Sequence, residues 1–167
     1  MTISLYQASI PVFVQNLNNL SSILKKGAEF AEFKKIDPAV LINSRLAPDM
    51  LPLFRQVQIA SDAVTAVAAR LAEIEVPKSA DTEISFDDLQ DRISKTIAFL
   101  QTIKPEQIDG KEELKISYIQ RNKEKNFIGL PYLFNWGLPN LFFHISVTYS
   151  ILRHNGVEIG KKDYLGV

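Results

Sequence analysis

The stretch Pro139-Asn140-Leu141-Phe142-Phe143-His144-Ile145-Ser146-Val147-Thr148-Tyr149-Ser150-Ile151-Leu152-Arg153-His154-Asn155-Gly156 decides how the rest of the chain is read. A proline near the first helical position and Asn155-Gly156 as a left-handed cap predict a helix from about Pro139 to Asn155. Asn140, His144, Val147, Thr148 and Ile151 share one mostly apolar stripe, so two polar side chains one turn apart should point into a protein interior.

Three further helices precede it. Tyr6, Ile10, Phe13, Leu17, Leu20 and Leu24 repeat at 4-3-4-3-4 spacing, with Pro11 at a kink or at the start of the regular part. Gly27, after Lys25 and Lys26, is expected to close this first helix, and residues 28–47 to form a connection with short helical pieces. A second helix should open around Pro48-Asp49-Met50, run through Phe54, Val57, Val64, Ala68 and Leu71, and end at Val76-Pro77. Lys78 to Glu83 reads as polar linker. Ser85 and Asp88 form a short-acid capping box before Phe86, Leu89, Ile93, Ile97, Leu100 and Ile103, a third helix stopped before Pro105. Alternation at Leu114, Ile116 and Tyr118, the polar stretch Arg121 to Asn126, and a run from Phe127 to Tyr132 predict a small β-hairpin between the third and fourth helices. Such a hairpin is marginal alone and must lie against the helices. The fold class is therefore all-α, a four-helix bundle with a small hairpin, in one domain over residues 1–167.

Composition narrows the functions. Nineteen Lys+Arg balance nineteen Asp+Glu, and mean hydropathy is near zero, so no basic field draws the chain to nucleic acid or to a membrane surface. Cysteine is absent, which removes disulfides, thiolate nucleophiles and Cys-based metal sites. The segment Met1 to Leu17 has no positive n-region and carries Gln7, Pro11, Gln15 and Asn16, so it is read as neither signal peptide nor anchor and a cytoplasmic location is expected. Glycine-rich phosphate loops, Gly-x-Ser-x-Gly elbows and His-Glu-x-x-His patterns are missing.

Two histidines remain. His144 and His154 lie about 80° apart around a helix and about 15 Å apart along it, so they cannot share an ion. His154, in the last turn, suits free carbonyls and the negative end of the dipole. His144 and Asn140 can converge on one point, and Gln56 on the second helix shares a face with Leu53, Ala60, Ala63 and Val67. Asp49 stands two turns earlier on nearly that line, whereas Gln58, Asp62 and Thr65 occupy the opposite, polar side. Leaving such inward groups unpaired costs roughly 1–3 kcal/mol each. Three readings stay open: a polar network that fixes helix register, a metal-free small-molecule pocket, or a metal site at His144, Asn140 and Gln56. The aromatics Phe127, Tyr132, Phe134, Trp136, Phe142, Phe143 and Tyr149 supply either walls for a pocket or the core that seats the hairpin. Asp87-Asp88 and Glu112-Glu113 read as cap and surface positions.

Arg45-Leu46-Ala47-Pro48-Asp49-Met50, Gln56-Val57-Gln58, Pro139-Asn140-Leu141-Phe142-Phe143-His144, Ile151-Leu152-Arg153-His154-Asn155-Gly156 and Gly160-Lys161-Lys162-Asp163-Tyr164-Leu165-Gly166 resemble an uncharacterised bacterial and fungal domain family of the DinB/YfiT-like superfamily. That resemblance implies a bundle of up-down-down-up order, often a homodimer. It also implies a divalent metal, zinc or nickel, held by one histidine of the second helix and two of the fourth, as in metal-dependent thiol S-transferases and hydrolase-like enzymes. His144 falls on the second of the paired histidines and Asn140 on the first, with Gln56 at the equivalent position of the second helix and Asp49 next. The expectations carried forward are a small-molecule binder or degenerate metal site near Asn140, His144, Gln56 and Asp49; alternatively a metal-dependent transferase or hydrolase; alternatively a non-catalytic dimeric interaction protein that uses an exposed bundle face and the tail from Val157 to Val167.

Overall fold

A computed structural model describes residues 3–167. Helix α1 spans Ile10–Lys34 and begins where Pro11 allows, at its first turn, because the missing N–H has no partner there anyway. It does not end at Gly27. The helix continues for two more turns to Lys34 and is closed by Lys35 in the left-handed conformation. Gly27 is instead a site of close approach: a Cβ there would stand 3.0 Å from Leu152 and 3.3 Å from Phe86. A short helix α2, Pro38–Ile42, follows, with the Asp37 side chain capping Ala39 N–H at 2.9 Å.

Helix α3 spans Leu53–Leu71, starting later than Pro48 suggests. Pro52 explains the delay, since the residue before a proline is pushed out of the helical region and the regular helix can start only after it. At its other end Ala72 caps the helix and Glu73 turns to positive φ, so α3 stops before Val76-Pro77 is reached. Helix α4, Phe86–Thr102, carries the full Ser85/Asp88 capping box, and α5, Pro105–Ile108, follows at once.

The hairpin pairs β1, Lys115–Gln120, with β2, Lys123–Ile128, antiparallel from Lys115 opposite Ile128 to Gln120 opposite Lys123. Its turn is only Arg121-Asn122, both at positive φ, the two-residue turn whose twist matches that of the strands. Polar residues 123–126 are thus strand rather than loop, because that ribbon has an exposed face that tolerates them. The extended run stops at Ile128, and Gly129–Tyr132 forms a helical turn, α6. Gly129 is required there: a Cβ would fall 2.0 Å from the Lys111 carbonyl oxygen. A π-helical turn, Leu133–Gly137, then leads into α7, Leu138–His154, and the chain closes with α8, Lys161–Leu165.

The four long helices share one core. α3 packs against α7 and α4, and α1 against α4 and α7. Phe13, Leu17, Leu20 and Leu24 of α1 meet Leu53, Val57, Ala60 and Val64 of α3, Leu89 and Ile93 of α4, and Leu141, Ile145 and Ile151 of α7 within a single apolar cluster. Each fully buried large side chain contributes about 1.5–3 kcal/mol. The hairpin is seated by aromatics. Phe127 lies 4.9 Å from Tyr132 and 5.6 Å from Trp136, and Tyr118 stacks on Phe127 at 6.0 Å. Arg70 of α3 lies over the Tyr118 ring at 3.6 Å and donates to Tyr132 Oη at 2.8 Å. Burial pushes the Tyr132 phenol up to about 12 despite that guanidinium. Phe134, Phe142 and Phe143 stay exposed and Tyr149 packs on Tyr164, so these four do not join the wall.

Candidate functional site

Residues 44–53 form a loop closed on itself. Leu53 N–H donates to Ser44 O at 2.9 Å, Met50 N–H to Ala47 O at 3.0 Å, and the Arg45 guanidinium to Met50 O. Immediately after it, in the first turn of α3, Gln56 is buried and bridges two elements: its Nε2 donates to Leu51 O at 2.9 Å and its Oε1 lies 2.7 Å from His144 Nδ1 on α7. This geometry settles the proton. Nε2 of Gln56 is committed as a donor, so Oε1 faces the ring, and a carbonyl oxygen can only accept. Nδ1 of His144 therefore carries the hydrogen, and the lone pair stands on Nε2. Burial lowers the His144 pKa from its ordinary 6.5, so the ring is neutral at pH 7. Phe143 meets it edge-on with centroids 5.2 Å apart.

The other expected residues are placed differently. Asn140 is half-buried, and its Nδ2 turns back along its own helix to donate to Trp136 O at 2.7 Å, at the junction of the π turn with α7. It forms no hydrogen bond with His144. Asp49 is exposed at the loop tip, and His154 is exposed in the last turn of α7.

Zinc or nickel does not fit this donor set. The oxygen of Gln56 is taken by Nδ1–H and the Asn140 amide is spent on its own backbone, which leaves one imidazole nitrogen where a zinc site needs three or four protein ligands. No three His, Asp or Glu side chains gather into a cation-binding group among the described residues.

A second polar cluster escaped the sequence reading. Gln58 and Asp62, expected on an outward polar side of α3, face α4 and the connection after α3: Gln58 is fully buried and Asp62 pairs with buried Arg92 at 2.6 Å. Arg92 also pairs with Glu83 at 2.7 Å and Asp81 at 3.3 Å, and donates to Ala80 O at 3.2 Å. Gln58 donates to Glu83 at 2.6 Å, while Arg55 holds Asp81 at 2.6 Å. Burial pushes the Glu83 carboxyl up, but its bonds to Arg92 and Gln58 outweigh this and keep it below the usual range; the Arg55 bond lowers Asp81. The cluster straps residues 77–83 over a cleft of about 440 Å³ against α3 and α4. The signal available in the sequence was Arg92 itself, a charge one position from Ile93 on the inward face of α4.

A family model described as a domain of unknown function, DUF1993, matches residues 5–165. The crystal structure of a DinB family member from Shewanella denitrificans is similar to this chain at 41% identity, covering 98% of it and 92% of that protein, with a TM-score of 0.91. No match was found among curated proteins.

Proposed function

The chain belongs to the DUF1993 family, an uncharacterised DinB-like domain, and on that premise we propose that it binds a small polar molecule at the Gln56–His144 pair. The finer reading of the fold belongs with this: one domain over residues 1–167, its four long helices arranged as a bundle of up-down-down-up order, working in the cytoplasm. The observation that carries the reading is the 2.7 Å contact between His144 Nδ1 and Gln56 Oε1. It supports a neutral imidazole of fixed tautomer, with Nε2 as the acceptor for a hydroxyl, thiol or ammonium group of a ligand. Gln56 is the positioning residue, because it holds the ring through the closed loop before α3. The metal-dependent transferase or hydrolase reading has one donor nitrogen in its favour and no companion ligands.

Thermal unfolding of the purified protein with small alcohols, thiols, amines and divalent ions, beside a His144→Ala variant, tests the proposal. Stabilisation by at least one organic compound, lost in the variant, is the expected result. No stabilisation by any, or equal stabilisation of both proteins, contradicts it. Stoichiometric metal that co-purifies and disappears with His144 would install the metal reading in its place.

A further inference from the structure

The Gln56–His144 pair leaves a second concavity unused. The cleft of about 440 Å³ between α3, α4 and residues 77–83 contains neither of those side chains, and its volume falls within the roughly 300–1,000 Å³ of small-molecule sites. Its walls are balanced in charge: Glu83, Asp88 and Asp91 face the same space as Lys78, Arg92 and Lys95. The carboxylates are already engaged. Glu83 bonds Arg92 at 2.7 Å and Gln58 at 2.6 Å, Asp91 pairs with Lys95 at 2.5 Å, and Asp88 accepts from the Ile84 and Ser85 N–H groups at 3.1 and 3.0 Å. Lys78 has no ion-pair partner among the described residues.

Uncharged groups complete the lining. Thr96 donates to Arg92 O at 2.9 Å and keeps its oxygen free to accept, the Thr82 hydroxyl is exposed, and half-buried Phe99 adds an aromatic surface. One donor at this wall is unspent: Arg92 is 4% exposed, and of its three nitrogens Nε alone has no acceptor. Such a buried, unmade bond costs roughly 1–3 kcal/mol. Residues 77–82 are all exposed, so the strap over Arg92 rests on polar bonds and can shift without breaking apolar packing.

We infer that this cleft binds an uncharged polyol, a sugar or cyclitol. A cationic ligand finds no carboxylate there without a partner of its own, and an anionic one finds a single unpaired lysine beside three carboxylates. A hydrocarbon would cover the polar walls and return none of the bonds they make to water. Hydroxyl groups avoid all of these costs, because each both donates and accepts. They can accept from Lys78, Lys95 and Arg92, donate to the spare lone pairs of Asp88, Asp91 and Thr96, and leave the existing ion pairs intact. The C–H face of a ring then suits Phe99. The cleft lies on the α4 side of α3, whereas Gln56 meets α7, so the inference does not rest on the reading of the Gln56–His144 pair.

Amide chemical-shift titration of the full, nitrogen-labelled chain with glucose, ribose and myo-inositol tests it, since shifts report contact where melting temperatures also register the general stabilisation that sugars give. At least one compound should bind with millimolar affinity or better, shifting residues 77–83 and the α4 turns from Asp88 to Phe99. Glucosamine at pH 6 and glucuronate, which place a positive or a negative charge on the glucose ring, should bind at least roughly tenfold more weakly than glucose. Phe99→Ala should weaken binding about tenfold, and exposed Thr82→Val about fivefold, while Ala98→Gln, on the exposed side of α4, leaves it unchanged. Thr82→Val decides the matter if Phe99→Ala does not fold. No saturable shift with any of the three polyols, tighter binding of either charged sugar, or affinity indifferent to the cleft variants overturns the inference. Shifts centred on Gln56 and His144 overturn it too, while leaving the reading of that pair standing.

Discussion

An imidazole that donates from Nδ1 to a buried carboxamide and keeps its lone pair on Nε2 is a different reagent from a histidine in water, which exchanges tautomers and charges near pH 6.5. At position 144 the ring is half-buried, and desolvation depresses its pKa. The sign of the resulting pH dependence is fixed. Folded protein binds this proton less readily than the unfolded chain, so the stability it contributes is complete above 6.5 and is lost as pH falls through the depressed folded-state value. Denaturant unfolding between pH 5 and pH 8 should show that loss at the acid end in the wild type and not in His144→Gln; identical profiles would contradict it. The residue scale also marks where one-dimensional reading ends. Spacing puts Gln56 and His144 on inward faces, but nothing in a helical stripe says that Asn140 spends its amide on Trp136 O, because that bond depends on the π turn that precedes α7.

Among the elements, helices were legible wherever an apolar period and a cap coincide, as in α4 with its Ser85/Asp88 box and α7 ending before Gly156. They were misjudged where one residue has two uses. Gly27 looks like a stop but lets Leu152 and Phe86 approach α1, and Pro48 looks like a helix start but lies in a loop whose second proline, Pro52, sets the true one. The connection from Glu73 to Ser85 reads as polar linker in composition, which does not reveal its order, since that comes from a buried arginine on the next helix. Arg92, only 4% exposed, ties Asp62, Asp81 and Glu83 together. Replacing it with Met takes the guanidinium from Asp62 and leaves Glu83, 10% exposed, with Gln58 alone, and Arg92→Met should cost roughly 1–3 kcal/mol and speed amide exchange across residues 77–83. An unchanged denaturation midpoint with unchanged exchange would show that the strap is held by something else.

At the scale of the molecule, the Gln56–Gln58 and Pro139–His144 motifs are brought together because α3 packs on α7, with the loop of residues 44–53 closed just before α3, whereas Gly160–Gly166 lies against α1. A mostly helical chain with a small hairpin, and the inward glutamine and histidine, could be read from periodicity and turn signals. The buried arginine network could not, since it depends on which helices are neighbours. The central claim is that Gln56 fixes His144 as the neutral Nδ1–H tautomer, and nitrogen NMR of the labelled imidazole tests it most directly. The wild type should show a protonated Nδ1 and an unprotonated Nε2 at pH 7, and Gln56→Leu should release the ring to the mixture seen in free histidine. A wild-type ring protonated at Nε2, or one that Gln56→Leu leaves unchanged, would contradict the account.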